Sequence, residues 1–282
     1  MERTSGSPGI KIGLIDGPVY TQHPDLAAER FREIPGNNGS QCAQANSVAC
    51  LHGTFVAGIL SAKRGSPAPA ICPDCTLLIR PIFTESPVGG ESMPSATPQE
   101  LAMAVLDCIN AGARVINLSL ALGYTSINGI WALEEAFNLA IRRGVILVAA
   151  AGNQGALGSS AITRHPWVIP VAACDDRGRP TNDSNLGGSI GRQGLSALGA
   201  GVTSLGAEGG PLTLGGTSVA APFVTGAIAL LWSEFPGASA GQIKLAVTRA
   251  SLPRRASIVP PLLDAEAAYR ALSIEIGRRG AA

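Results

Sequence analysis

Clustered positive charge is what this sequence most plainly lacks. Lysine and arginine number 21 against 20 acidic residues, a net charge of +1, and no basic stripe with interleaved aromatics runs along the chain. Nucleic acids and anionic membranes are held by concentrated cation, so neither is expected as a partner. No apolar run reaches the roughly 20 residues that span a bilayer. The most apolar helical stretch, Val219 to Trp232, is broken by Pro222, Thr225 and Gly226 and reads as a buried core helix. The opening MERTSGSPGIKIG lacks the apolar segment of a secretory signal, so a cytoplasmic location is expected. No internal repeat is evident. Histidine is confined to His23, His52 and His165, so any imidazole chemistry must use one of these three.

What is present is alternation. Apolar runs at Ile10–Ile15, Leu77–Ile82, Val115–Leu120, Val145–Ala150 and Val168–Ala172 read as strands. Helical spacing of apolar residues falls near Thr54–Ala62, Pro98–Ala111, Ile130–Arg143, Ser218–Phe235, Ala240–Ala250 and Asp264–Leu272. Strands that alternate with helices predict an α/β fold, a mostly parallel central sheet with helices on both faces. The 282 residues suit one such domain, its core over about 10–235 and further helices over 236–275. The Gly- and Pro-rich stretches Ser66–Pro69, Pro87–Pro98 and Leu186–Gly194 read as surface loops, and the tail Ile276–Ala282 as frayed.

Three residues carry chemistry. In Gly215-Gly216-Thr217-Ser218-Val219-Ala220-Ala221-Pro222 a serine stands between glycines and an apolar helix, where free N–H groups and the helix dipole stabilise developing negative charge. Taken alone, Ser218 reads first as an N-cap. His52 opens LHGTFVAGILSA, a second apolar helical segment, and reads either as the base or as a polar group at a helix start. Asp16 ends the first apolar run. It reads as a turn residue or, because ligands bind at the carboxyl ends of parallel strands, as the group that orients the imidazole.

The order Asp16, His52, Ser218, with LIDGPV, HGTFVAG and GTSVAAP around the three and VILVAAAGNQG further on, resembles the subtilisin-like serine proteases from about Ile10 to Phe235. The resemblance implies the three-layer fold of that family and a catalytic triad of Asp16, His52 and Ser218. It also implies that Asn153 donates to the oxyanion, where a fixed amide stabilises charge that exists only as the bond is broken. A peptide or protein substrate in extended conformation is implied, bound by strand addition along Leu118, Ser119, Leu120 and Ala121 and bordered by Gly152, Gln154, Gly216 and Thr217. Gln154 carries no charge, so weak selection for lysine or arginine is expected. No cofactor is expected.

Departures from the common pattern point further. Gly17-Pro18 follow the aspartate where serine or threonine and then glycine are frequent, and Phe55 replaces a frequent second histidine. Asp25, in HPDL, matches a calcium ligand of secreted subtilisins, but Ala62–Ile71 lacks the oxygen-rich loop that completes such a site. No metal is expected. LIDGPV, the proline in IRPIF and ACDDRGRPTNDSNLG resemble the cyanobactin maturation proteases, which implies cleavage of a ribosomal precursor peptide inside the producing cell. Macrocyclising members carry a helical insertion between the aspartate and the histidine. The Pro-, Asn- and Gly-rich residues there fit no long helix, so hydrolysis is favoured over ring closure. General protein turnover, peptide ligation and a silent peptide-binding module are the other readings, and oligomeric state is not legible.

Of six cysteines, Cys42 and Cys50 bracket a short loop that they are spaced to close, and Cys72 and Cys75 form C-P-D-C. A reducing cytoplasm would keep most of them as thiols. Cys108 and Cys174 are expected in the core.

Overall fold

The computed structural model describes residues 3–36, 42–83, 85, 96–120, 129–249 and 257–280. The chain runs β1 (Lys11–Asp16), β2 (Phe31–Glu33), α1 (Val48–Ser61), β3 (Thr76–Pro81), α2 (Pro98–Asn110), β4 (Val115–Leu118), α3 (Ile130–Arg143) and β5 (Ile146–Ala150). It continues with α4 (Ala161–Arg164), β6 (Val168–Cys174), α5 (Gly188–Gln193), β7 (Leu195–Leu198), β8 (Val202–Leu205), β9 (Pro211–Leu214), α6 (Thr217–Glu234), α7 (Ala240–Arg249) and α8 (Ala265–Gly280). Seven strands form one sheet in the order β2-β3-β1-β4-β5-β6-β7, and every pair is parallel. β8 and β9 form a separate antiparallel hairpin.

Period-2 alternation divides the side chains of this sheet between two cores. Ile12, Leu14, Leu77, Ile79, Ile146 and Val148 pack with α1, α6, α7 and α8. Ile15, Leu78, Ile116, Leu118 and Leu147 pack with α2 and α3. A sheet covered on both faces is apolar at every strand position, which is why the strands read as continuous runs. The α/β layering expected from the sequence is present, with helices on both faces.

Local signals set the helix ends. α2 starts with a full capping box, in which Thr97 accepts from the Glu100 amide and Glu100 accepts from the Thr97 amide, and Pro98 follows at the first position. α3 has the bounds the sequence predicts and stops at Gly144, in the left-handed region at φ 65°.

Three expectations are corrected. α1 begins at Val48 rather than near Thr54, because the Ser47 hydroxyl caps the Cys50 amide. His52 therefore lies one turn inside the helix rather than at its start. The stretch Leu186–Gly194 is not wholly a loop, since α5 lies within it and buries Ile190. Of its two glycines, Gly191 marks close packing: a Cβ there would stand 1.8 Å from the Ser257 carbonyl oxygen. The last helix runs on to Gly280 instead of fraying from Ile276.

Candidate active site

β1 is the place where strand order turns, with β3 on one side and β4 on the other. Loops leaving adjacent strands diverge at such a point and open a crevice. Asp16 is the last residue of β1, and its side chain is fully buried. Its Oδ1 accepts from the Gly17 amide at 2.6 Å, while the buried Oδ2 has no partner among the described residues. The next residue, Pro18, has no N–H to offer.

The loop leaving β1 packs backbone to backbone on the first turns of α1. A Cβ on Gly17 would stand 1.9 Å from the Ala49 carbonyl oxygen, and one on Gly53 would stand 2.5 Å from the Gly17 carbonyl oxygen. This contact brings His52 to Asp16, with Nδ1 2.7 Å from Oδ1. A carboxylate only accepts, so Nδ1 carries the proton and Nε2 is the lone-pair nitrogen. Nε2 lies 2.9 Å from the Ser218 Oγ. Burial alone lowers the His52 pKa, but the charge of Asp16 and its hydrogen bond outweigh this, and the pKa is raised above the ordinary value.

Ser218 is the second residue of α6, whose N-cap, Gly216, has φ 123°, a conformation that L side chains rarely adopt. At that position the Ser218 amide has no acceptor within the helix. Pro222, four residues on, lacks the N–H that would bond the Ser218 carbonyl. The Ser119 hydroxyl takes that place, donating to the Ser218 carbonyl at 3.1 Å. A buried chain supports it: Thr225 donates to Asn117 Oδ1 at 2.8 Å, and Asn117 Nδ2 donates to the Ser119 Oγ at 2.6 Å. The end of β4 and the start of α6 are thus fixed together beneath the serine.

Asn153 follows β5 and is exposed. Its Oδ1 accepts from the Thr217 amide at 2.8 Å and from the Thr217 hydroxyl at 2.9 Å, which fixes the amide plane and leaves Nδ2 without an acceptor among the described residues. A Cβ on Gly216 would stand 2.9 Å from that nitrogen, so Nδ2 lies beside the turn that presents Ser218. The Asn153 loop is held by Asn185. Its Oδ1 accepts from the amides of Gln154 (3.0 Å) and Ala156 (2.9 Å), and its Nδ2 donates to Gln154 Oε1 (2.7 Å) and to the Ala151 carbonyl (3.2 Å).

The structure therefore brings Asp16, His52, Ser218 and Asn153 together, with Gly152, Gln154, Gly216 and Thr217 around them. Thr217 is fully buried and spends its side chain on Asn153 and on the Gly152 amide. Leu118 differs from the expected strand-addition surface. It is paired with Ile15 on one side and Ala149 on the other, and its side chain is in the core. The segment leaves the sheet only at Ser119 and Leu120, and Ala121 lies outside the described residues. Asn185 was not legible as a site residue; its one signal is an Asn in a Gly-rich loop that turned out to be buried.

His23 and His165 lie elsewhere. His23 accepts from the Asp25 amide, and burial lowers its pKa; His165 packs edge-on against Phe137. Cys42 and Cys50 are joined in a disulfide. Among the described residues one group of three has ligand atoms close enough to share a metal ion, namely Cys42, Cys50 and Glu85. Its sulfurs are bonded to each other, and the Glu85 carboxylate is occupied by the Ala43 and Gln44 amides and the Ser47 hydroxyl. Asp25 belongs to no such group.

A hydroxyl bonded to an oriented imidazole, with two unspent N–H donors beside it, is the equipment of acyl transfer. A sequence profile of the Subtilase family matches residues 7–269. Subtilisin Savinase of Lederbergia lenta is 32% identical over 266 residues, covering 93% of this chain and 91% of its own. Subtilisin DY of Bacillus licheniformis is 30% identical over 240 residues, 83% and 81% of the two chains. Fervidolysin of Fervidobacterium pennivorans is 31% identical, and there the match spans 37% of the relative's length. Among solved structures, the protease domain of PatA superposes with a TM-score of 0.88 at 30% identity, covering 98% and 99% of the two chains. The prenylagaramide maturation protease PagA gives 0.83 at 29%, covering 96% of each. The PatG macrocyclase, at 20% identity and TM-score 0.82, shares the fold.

Proposed function

Because the chain belongs to the subtilase family and is a subtilisin-like serine endopeptidase, we propose that Ser218 is its nucleophile and that it removes the leader of a ribosomal precursor peptide. The observation that carries the catalytic assignment is the continuous hydrogen-bonded line from Asp16 through His52 to Ser218. His52 takes the Ser218 proton at Nε2 as Oγ attacks the scissile carbonyl, then returns it to the leaving amine. Asp16 keeps the proton on Nδ1 and stabilises the imidazolium. Asn153 Nδ2 and the Ser218 amide hold the oxyanion. Water then enters on the path of the departed amine, loses a proton to His52 and frees the acid.

The precursor-peptide reading is supported by likeness to the protease domain of PatA and to PagA over nearly the whole of both chains. Hydrolysis is favoured over ring closure. Between β1 and α1 the described residues form only a single 3₁₀ turn, Ala28–Arg30, and the short strand β2, with no helix to shield an acyl-enzyme from water. A cytoplasmic location goes with this reading, since the precursor peptide would be processed where it is made. Among the described residues no helix is long and apolar enough to cross a membrane. General protein turnover is the second reading, favoured by the identity to Savinase.

The test is mass spectrometry of a diverse peptide mixture, and separately of casein, incubated with the protein and with Ser218→Ala. Cleavage at few sites, in short linear peptides and only with the intact serine, supports the proposal. Broad degradation of casein supports turnover, and joined or cyclic products overturn hydrolysis.

A further inference from the structure

Two cysteines outside the catalytic site lie together in a form that proteins use for thiol chemistry. Cys72 and Cys75 occupy the ends of a four-residue turn closed by the bond from the Cys75 amide to the Cys72 carbonyl, 3.1 Å. Both are fully buried and unoxidised, whereas Cys42 and Cys50 are bonded. A Cβ built on Gly6 would meet the Cys75 Sγ and, at 3.5 Å, the Cys72 Cβ, so the two side chains lie together on one side of the turn.

The turn is covered by the N-terminal strap. Ser5 bonds to the Asp74 carboxylate, the Asp74 amide donates to the Ser5 carbonyl at 3.0 Å, and the Thr76 hydroxyl donates to the Pro8 carbonyl at 2.8 Å. Gly6, at φ 102°, lies directly over the sulfur: a Cβ there would stand 2.6 Å from Cys75 Sγ. Beneath, the turn joins the far ends of the two catalytic helices. The Cys72 amide donates to the Leu60 carbonyl of α1 at 2.8 Å, and Ser233 of α6 lies against Cys75. His52 and Ser218 are at the opposite ends of these helices.

We propose that Cys72 and Cys75 are a thiol–disulfide exchange site, a buried dithiol that low-molecular-weight disulfides oxidise when the strap lifts, closing a bond that ties the strap-covered turn beneath the distal ends of α1 and α6. The two thiols are divided as such chemistry requires. The neighbouring Cys72 lowers the Cys75 pKa, while Cys75 and burial raise that of Cys72. Cys75 Sγ is the sulfur that Gly6 covers and that a lifted strap exposes, so Cys75 is the attacking thiolate. It displaces one thiolate from the small disulfide to form a mixed disulfide. Cys72 then gives its proton to the expelled thiolate and attacks the Cys75 sulfur, and the second small thiol leaves. One S–S bond is made and one broken, and the protein loses two hydrogens to the reagent.

The test equilibrates the purified protein, with Cys42–Cys50 intact, in glutathione buffers from fully reduced to fully oxidised. Acid quench, maleimide labelling and peptide mass spectrometry follow. Cys72 and Cys75 are expected to lose label together on one curve, with a mass lower by two hydrogens. Cys108, whose thiol burial pushes up to about 12, keeps its label. Cys72→Ser traps glutathione on Cys75, and Cys75→Ser leaves Cys72 unmodified. Gly6→Ala, which forces the strap off the sulfur, speeds oxidation several-fold; Asp74→Ala, which removes the carboxylate that holds the Ser5 hydroxyl, does the same if Gly6→Ala folds poorly. Peptidase activity changes less than twofold on oxidation, because the pair is remote from the reacting groups. Full labelling of both cysteines in every buffer and in both strap variants overturns the proposal, as does glutathione found first on Cys72.

Discussion

The Ser119 hydroxyl donates at 3.1 Å to the carbonyl of Ser218, the carbonyl that Pro222 deprives of its helical partner. Ser119→Ala leaves that carbonyl unsatisfied, at a cost of about 1–2 kcal/mol. Because the carbonyl belongs to the residue proposed as nucleophile, kcat is expected to fall about tenfold with KM little changed. Pro222→Ala supplies an N–H to the same carbonyl, so the double variant recovers most of the loss. Steady-state kinetics on the three proteins check this, and a loss confined to KM would assign Ser119 to substrate binding instead.

Asn153→Ala is expected to lower kcat by about 10²–10³, the value known for the corresponding asparagine of subtilisin and borrowed here for a member of the same family. Thr217→Val keeps the backbone bond to Asn153 and loses the hydroxyl's bonds to Asn153 and to the Gly152 amide. Its deficit should be smaller, roughly tenfold, and the variant should still titrate fully with an acyl-enzyme reagent.

The raised pKa of His52 gives opposite signs for activity and stability. In the unfolded chain the imidazole titrates near about 6.5. The charged pair with Asp16 therefore contributes stability that is fully present below that pH and lost as pH rises through the folded value. A base role for His52, as proposed, needs the neutral ring, so kcat/KM is expected to rise with pH through that folded value, with its acid limb above the ordinary histidine value. Asp16→Asn should move the limb down and reduce kcat by roughly 10⁴. Pro18→Ser gives the unpartnered Asp16 Oδ2 a donor; spreading the carboxylate charge moves the limb down with most of kcat retained. A pH profile of all three proteins decides the matter.

Gln154 presents a neutral amide, turned toward Asn185, and a cleavage-site library should show no enrichment of lysine or arginine before the cut. Gln154→Glu is expected to introduce that enrichment, about tenfold for one exposed charge pair. No change in the profile would place the pocket elsewhere.

The Cys42–Cys50 bond closes a loop across a separation of 8 residues just before His52. Loop-closure entropy gives it about 2–3 kcal/mol, so Cys42→Ser with Cys50→Ser should lower Tm by several degrees. Glu85 still pins Ala43, Gln44 and Ser47, so activity well below the transition is expected to stay within about threefold.

Legibility followed the range of the interaction. α3 could be read to the residue because its amphipathic spacing and the flanking Gly129 and Gly144 are local. The buried strands were read for the same reason. β7 and the β8–β9 hairpin are four-residue segments, too short for a period to show. α5 was concealed by its glycines, and the close packing of Gly191 against Ser257 belongs to the tertiary structure. In the site, Asp16, His52, Ser218 and Asn153 stood out as residue types in register with known motifs. Asn185 did not, because it acts on a loop about 30 residues earlier, and nothing in its own neighbourhood marks it.

The backbone contact between the Gly17-Pro18 loop and α1 also sets how this enzyme tolerates change. Where two main chains touch with no side chain between them, the separation of Asp16 and His52 cannot be retuned by exchanging packing residues. It is fixed by peptide dimensions. In a random single-substitution library, Gly17 and Gly53 should be as intolerant as the catalytic residues themselves, although neither takes part in the chemistry. Variation in substrate choice would have to be sought around Gln154, whose side chain is exposed and is proposed to border the cleft.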